Sequence, residues 1–285
     1  MRKILLLTVF FSLFLTTQVQ SSSEDFSTLA VHFLGITEGE ASLIRFPDGY
    51  TVVIDSGSHQ SGKEVAQLLF SHHVKRIDTL ILTGQMDGHI GGTEELLKHF
   101  PIEKILVPEP LQSAIQNKVS IPQNVLLLPV REGQNYTFPM GVVLKILHPG
   151  EPLSLSPEDN SLVLQLVHQH IKILFTSDIN ERTEQLLVKK YNVKSQILKV
   201  SDGGSNQASD PKFLKQVDAH AAIIFHDGHP RMHPKVLERL TETWMDVYQT
   251  KSHGTVSIFS NGKHYRIRKE NQKGYFNNGK FHRSS

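Results

Sequence analysis

The chain has 285 residues, 39% of them hydrophobic and 20% charged, a balance that supports a packed core and excludes wholesale disorder. It contains no cysteine, which excludes disulfides, zinc ribbons, iron–sulfur clusters and any thiol nucleophile. Histidine is abundant at 16 residues, and the formal net charge of +2 hides an uneven distribution along the chain.

Arg2 and Lys3 precede a short apolar run over 4–15. Polar residues 16–23 follow, with Val19-Gln20-Ser21 as a cleavage box. This is the pattern of a secretory signal peptide. The run is short for a bilayer span, which takes about 20 apolar residues; an uncleaved anchor is the alternative. No cysteine is present for lipoprotein anchoring, and no later segment is apolar enough to span. The expected organisation is a signal peptide over 1–21, a linker over 22–27, a folded domain over 28–268 and a basic flexible tail over 269–285. The expected location is outside a bacterial cell, by a Sec-type route. Removing 1–21 takes away two positive charges and leaves 28 basic and 28 acidic residues. Between 263 and 285 seven Lys or Arg face the single Glu270, so a tail of about +6 follows a body of about −6.

Strands are predicted over 29–34, 41–46 and 50–54, each apolar or β-branched and bounded by turn residues such as Pro47-Asp48-Gly49. Residues 63–72 carry helical spacing, with Val65, Leu68 and Leu69 on one face. A strand over 78–82 follows, then a helix from Gly91-Gly92-Thr93 to Phe100, where Pro101 stops it. Further strands are predicted over 104–107, 125–128, 142–147, 162–167 and 171–175. Helices over 180–190, 211–217 and 234–243 alternate with strands over 196–200, 221–225 and 245–248. Strands over 255–259 and 264–267 close the domain. Two β-rich halves interleaved with helices predict two sheets packed face to face with helices outside.

The segment from Val31 to Gly49, VHFLGITEGEASLIRFPDG, resembles the opening of the metallo-β-lactamase-like domain of ComEC-type competence proteins, which reads V-x-F-L-D-V-G-Q-G-D-A-x-L-I-x-x-P-D-G. Val53-Ile54-Asp55-Ser56-Gly57, His148-Pro149-Gly150, Asn160 to Leu164 and Phe175-Thr176-Ser177-Asp178 match later blocks in order. Leu198 to Ser205 resembles L-K-V-G-H-H-G-S, and His233 to Leu240 resembles H-P-E-V-L-x-R-L. The resemblance covers nearly the whole domain and implies an α/β fold, the metallo-β-lactamase-like αββα four-layer sandwich, with its site along one edge.

In that family the motif T-H-x-H-x-D-H-x-G-G binds divalent metals. Here it reads Thr83-Gly-Gln-Met-Asp-Gly-His-Ile-Gly-Gly92, so Gly84, Met86 and Gly88 stand where the first three donors would, and only His89 matches. Glycine has no side-chain donor, and a thioether is a soft ligand poorly suited to a water-activating ion. Asp202 and Gly203 replace the two histidines of the later block. The resemblance implies His89, Asp178 and His233 as the remaining metal-ligand positions. Asp202 or Asp87 would be a fourth donor, and Asn160 and Ser205 ligand-side positions. Each has a plain structural reading too: His89 packing at a helix start, Asp178 capping the helix at 180, His233 shaping the turn before Pro234. His226 and His229 lie near His233 in sequence. His72, His73 and the histidines at 168 and 170 read as surface positions.

Two functions follow. The first is a secreted, non-catalytic relative that binds or scaffolds an unidentified ligand and needs no cofactor. The second is a mononuclear metal-dependent hydrolase of phosphodiesters, esters or amides, with one zinc or manganese on His89, Asp178 and His233. Asp178 and Asp202 would then carry the catalytic roles. The resemblance would make nucleic acid the substrate, because ComEC-type domains are associated with degrading the non-transported DNA strand. The acidic body argues against a long phosphate backbone.

Overall fold

Many of the strands are apolar and buried along most of their length, and successive side chains point to opposite faces that are buried against different partners. The structure, a computed structural model, describes residues 28–225, 233–270 and the backbone of 281–283. The signal, the linker, His226, His229 and most of the tail lie outside the described residues.

The chain first builds Leu29–Phe33 (β1), Ser42–Arg45 (β2), Thr51–Ile54 (β3), the helix Gly62–Ser71 (α1), Ile77–Ile81 (β4), the helical turn Asp87–Ile90 (α2), Thr93–His99 (α3), Ile102–Pro108 (β5), Gln112–Lys118 (α4) and Leu126–Val130 (β6). It then crosses to a second sheet through Asn135–Thr137 (β7), Val143–His148 (β8), Val163–His168 (β9), Ile171–Phe175 (β10), Glu181–Lys190 (α5), Ile197–Lys199 (β11), Pro211–Val217 (α6), Ala221–Ile224 (β12), Pro234–Glu242 (α7) and Asp246–Gln249 (β13). After Thr250–His253 (α8) it returns to the first sheet with Thr255–Ser260 (β14), His264–Glu270 (β15) and Phe281–Arg283 (β16). The first sheet runs β16-β15-β14-β1-β2-β3-β4-β5-β6 and the second β13-β12-β11-β10-β9-β8-β7.

The alternation decides the layers. Leu29, Val31 and Phe33 of β1 share one core with Ile171, Ile173 and Phe175 of β10 and with Val256 and Ile258 of β14. That core fills the space between the sheets. Leu34, Val53, Leu80 and Ile105 face the other way and pack with Val65, Leu69 and Leu96 of α1 and α3. Leu174, Leu198, Ala222 and Ile224 likewise pack with Leu187, Phe213, Leu214 and Val236 of α5, α6 and α7. The order helix, sheet, sheet, helix is the expected αββα sandwich. Within it β3 to β6 run parallel, as do β10 to β13. Loops after parallel strands gather at their carboxyl ends, the usual place for a site.

Two assignments are corrected. His72 and His168 are 9% and 2% exposed, not surface residues; His168 shares the inward parity of Leu164 and Leu166 and its Nδ1 meets Ser260 Oγ at 3.0 Å. Asp178 does not cap α5; Asn180 does, its Oδ1 accepting from the Thr183 N–H at 3.1 Å. Asn180→Ala is therefore expected to cost about 1 kcal/mol, read as a lowered urea midpoint with unchanged slope.

Gly92 brings α1 and α3 together beneath the loop after β3. A Cβ there would lie 2.0 Å from Ser56 O and 2.8 Å from Gly62 Cα, both backbone atoms. Gly92→Ala is expected to destabilise the protein by about 3 kcal/mol or more, the upper range for overpacking, measured by chemical denaturation.

Candidate functional site

Asp55 follows β3, Thr83 follows β4, and Ser177 and Asp178 follow β10, so carboxyl ends from both sheets supply the centre. Asp55 and Ser177 take left-handed backbone angles, with φ of 61° and 42°. Such angles strain a non-glycine residue and cluster at functional sites.

Asp55 is satisfied on several sides. Its Oδ1 accepts from the Thr83 N–H at 2.7 Å, and its Oδ2 accepts from the Thr83 hydroxyl at 2.7 Å. The same oxygen faces His89 Nδ1 at 2.9 Å. The Ser177 hydroxyl donates to Thr83 Oγ1 at 2.7 Å. On its other edge His89 Nε2 lies 2.7 Å from Asp178 Oδ2. Ionised carboxylates only accept hydrogen bonds, so a ring held between two of them carries a proton on each nitrogen. Burial alone would lower the His89 pKa, but Asp178 and Asp55 outweigh it and hold it well above the ordinary value. Burial would raise Asp178; the His89 charge overcomes that and holds the carboxyl below its usual range.

A second buried pair lies alongside. Ile197 of β11 faces the inter-sheet core, and Lys199, two positions on, shares that parity. Its Nζ reaches Glu40 Oε1 at 2.5 Å and donates to Ser177 O at 3.1 Å. Lys199 is 2% exposed and Glu40 4%. Burial pushes the Glu40 carboxyl up to about 7, against the pull of Lys199 and His89. Sequence reasoning missed this pair; its signals were a lysine inside the apolar run Ile197 to Val200 and a glutamate between Gly39 and Ala41.

Of the residues singled out from sequence, His89 and Asp178 meet. His233 caps α7, its Nδ1 accepting from the Lys235 N–H at 3.3 Å, which matches its plain structural reading. Asp87 is exposed, and its Oδ2 accepts from the His59 N–H at 3.2 Å. Asp202 lines the cleft, and its amide donates to Ser177 O. Asn160 is turned into its own loop, where Oδ1 accepts from the Ser154 N–H and Nδ2 donates to the Ser154 and Ser156 carbonyls. Ser205 Oγ accepts from the Gln207 N–H. Met86 is 43% exposed on the cleft wall and does not fill the centre. A different trio converges: Glu40, Asp55 and His89 each bring one donor atom within 4.8 Å of the others.

The cleft above this centre has a volume of about 590 Å³. Among the described residues that line it, seven of fifteen are Asp or Glu, among them Glu38, Glu158 and Asp159, and none is Lys or Arg. Its field attracts cations and repels polyanions.

Residues 35–229, more than half of the chain, match the Metallo-beta-lactamase superfamily. The chain belongs to that superfamily. Within it, the chain is 27% identical to ComE operon protein 3 of Bacillus subtilis over 87% of its own length and 34% of that protein. It is 25% identical to Recombination protein 2 of Haemophilus influenzae, over 81% of this chain and 29% of that one. The chain thus spans about a third of these relatives, and the ComEC-type resemblance holds. Among solved structures, Tm1679, a metal-dependent hydrolase of the beta-lactamase superfamily, aligns with a TM-score of 0.52 at 9% identity, covering 78% of this chain and 95% of that one. A CmlA beta-hydroxylase mutant aligns with a TM-score of 0.52 at 8% identity, over 80% and 53% of the two chains. Both likenesses concern the fold. Among the described residues no helix is long and apolar enough to cross a membrane.

Proposed function

We propose that this chain is a non-hydrolytic metallo-β-lactamase-fold domain that acts outside the cell as a binding or scaffolding component related to competence. One observation carries the reading: His89 is held at both ring nitrogens by Asp55 and Asp178. A metal ligand needs a neutral imidazole with a free lone pair, and this ring offers none in that arrangement. Lys199 occupies Glu40 in the same way. Gly84 adds no donor; a Cβ there would sit in open van der Waals contact, 3.7 Å from Ser161 Cβ and 4.0 Å from His89 Cδ2. These residues do not fit a hydrolytic metal pair, which needs several free donors around two ions about 3.5–4 Å apart. The basic start and apolar run over 2–15 support export, and the similarity to ComE operon protein 3 supports the competence setting.

The cleft's lining favours a cationic or neutral ligand over a nucleic acid backbone, whose affinity comes largely from Lys and Arg. A second reading, a single metal ion, draws support from the convergence of Glu40, Asp55 and His89; it requires His89 and Lys199 to give up their present partners. Nuclease, phosphodiesterase and β-lactamase assays with added zinc, manganese or magnesium separate the two. No turnover above the buffer rate is expected. Robust turnover that Asp178→Asn abolishes would overturn the non-hydrolytic reading.

A further inference from the structure

A second cluster of metal-ligating side chains lies on the outer face of the first sheet. Strand parity puts it there. Val31 and Phe33 point between the sheets, as do Ile258 of β14 and Ile267 of β15, so His32, Ser257, Arg268 and Glu270 point outward. His32 pairs with Ser257 across β1 and β14, and Ser257 with Arg268 across β14 and β15. His72 caps the C-terminus of α1 on the same side, with its ring centroid 4.2 Å from that of His32.

His32 is 1% exposed. Its Nδ1 meets Ser257 Oγ at 2.8 Å, while its Nε2 is buried and has no hydrogen-bond partner among the described residues. Buried polar atoms are nearly always satisfied, and an exception asks for an explanation such as an ion. His32, His72 and Glu270 each place one donor atom within 4.8 Å of the other two. With metal–ligand bonds of about 2.0–2.2 Å, neighbouring donors around a tetrahedral ion stand about 3.3–3.6 Å apart. Side-chain rotation at His72 and Glu270, both at the ends of their elements, covers the difference. Two imidazoles and one carboxylate suit a borderline divalent ion such as zinc, with water as the fourth ligand.

We propose that His32, His72 and Glu270 form a zinc-binding site that ties the end of α1 to β1 and β15, separate from the cleft. His32 Nδ1–H donates to Ser257 Oγ, which fixes the tautomer and leaves the Nε2 lone pair for the ion, the arrangement typical of ligating histidines. Arg268, 3.3 Å from Glu270, competes for the carboxylate and weakens the site without removing a donor.

The test is zinc titration of the chelator-treated full chain by calorimetry, with thermal unfolding in parallel. One ion per chain and a raised unfolding temperature are expected. His72→Gln and Glu270→Gln lie at the edge of the cluster; each is expected to weaken binding at least tenfold while circular dichroism stays unchanged. Asp178→Asn is expected to leave zinc affinity as it is. No zinc binding by the unaltered chain would overturn the proposal. So would binding that survives both edge substitutions, or binding lost on Asp178→Asn, which would place the ion in the cleft.

Discussion

His89→Ala is expected to lower the free energy of unfolding by about 3–5 kcal/mol, the range for removing one partner of a buried ion pair. The imidazole is 4% exposed and is the only cation bonded to either Asp55 or Asp178 among the described side-chain contacts. Asp55 keeps both Thr83 donors, so most of the loss falls on Asp178. The cost should therefore shrink when the aspartate goes too: the pair His89→Ala, Asp178→Asn is expected to be less destabilised than the sum of the single changes, as a direct contact requires. Urea titrations of the four proteins of the cycle check this, and strict additivity would contradict it.

Lys199→Met is expected to cost about 3–5 kcal/mol at pH 8 and clearly less at pH 5. The sign follows from Glu40. Its folded pKa of about 7 lies above the ordinary 4.5, so the folded state holds the proton more tightly. The stability linked to that proton is complete below pH 4.5 and is lost as the pH rises through 7. Without the ammonium the carboxyl rises further, and the loss continues to higher pH. The gap between the two proteins must widen with pH. His89 adds to the same trend in the unaltered chain: its raised pKa gives stability that is full below pH 6.5 and lost as the pH rises through the folded value. Urea midpoints at pH 5 and pH 8 measure both effects. A gap that narrows with pH would contradict the pairing of Lys199 with Glu40.

Most of the architecture was legible because buried strands and helices announce themselves by period. The strand at 171–175 and the helix at 211–217 end where the sequence places them. The short strand Asn135–Thr137 and the helix Gln112–Lys118 were not foreseen, since few of their residues are apolar and only Ile115 of that helix is buried. At the site, His89 and Asp178 were legible through their motifs. The cations that neutralise the centre were not. Lys199 ends a three-residue strand, and only the facing of two sheets shows that its side chain runs inward to a glutamate 159 positions earlier in the chain. His72 and His168 misled because each adjoins a turn rich in polar residues. The alternation Leu164, Leu166, His168 carried the missing signal.

The central claim is that a protonated imidazole closes the cleft centre between two carboxylates. Nitrogen-15 NMR of histidine-labelled protein, with the His89 signals assigned through His89→Gln, reads this directly. At pH 7.5 both His89 ring nitrogens are expected to show imidazolium shifts that added zinc or manganese does not change. A neutral His89 ring, or one whose nitrogen signal moves or broadens on binding metal while His72→Gln leaves that response intact, would contradict the claim.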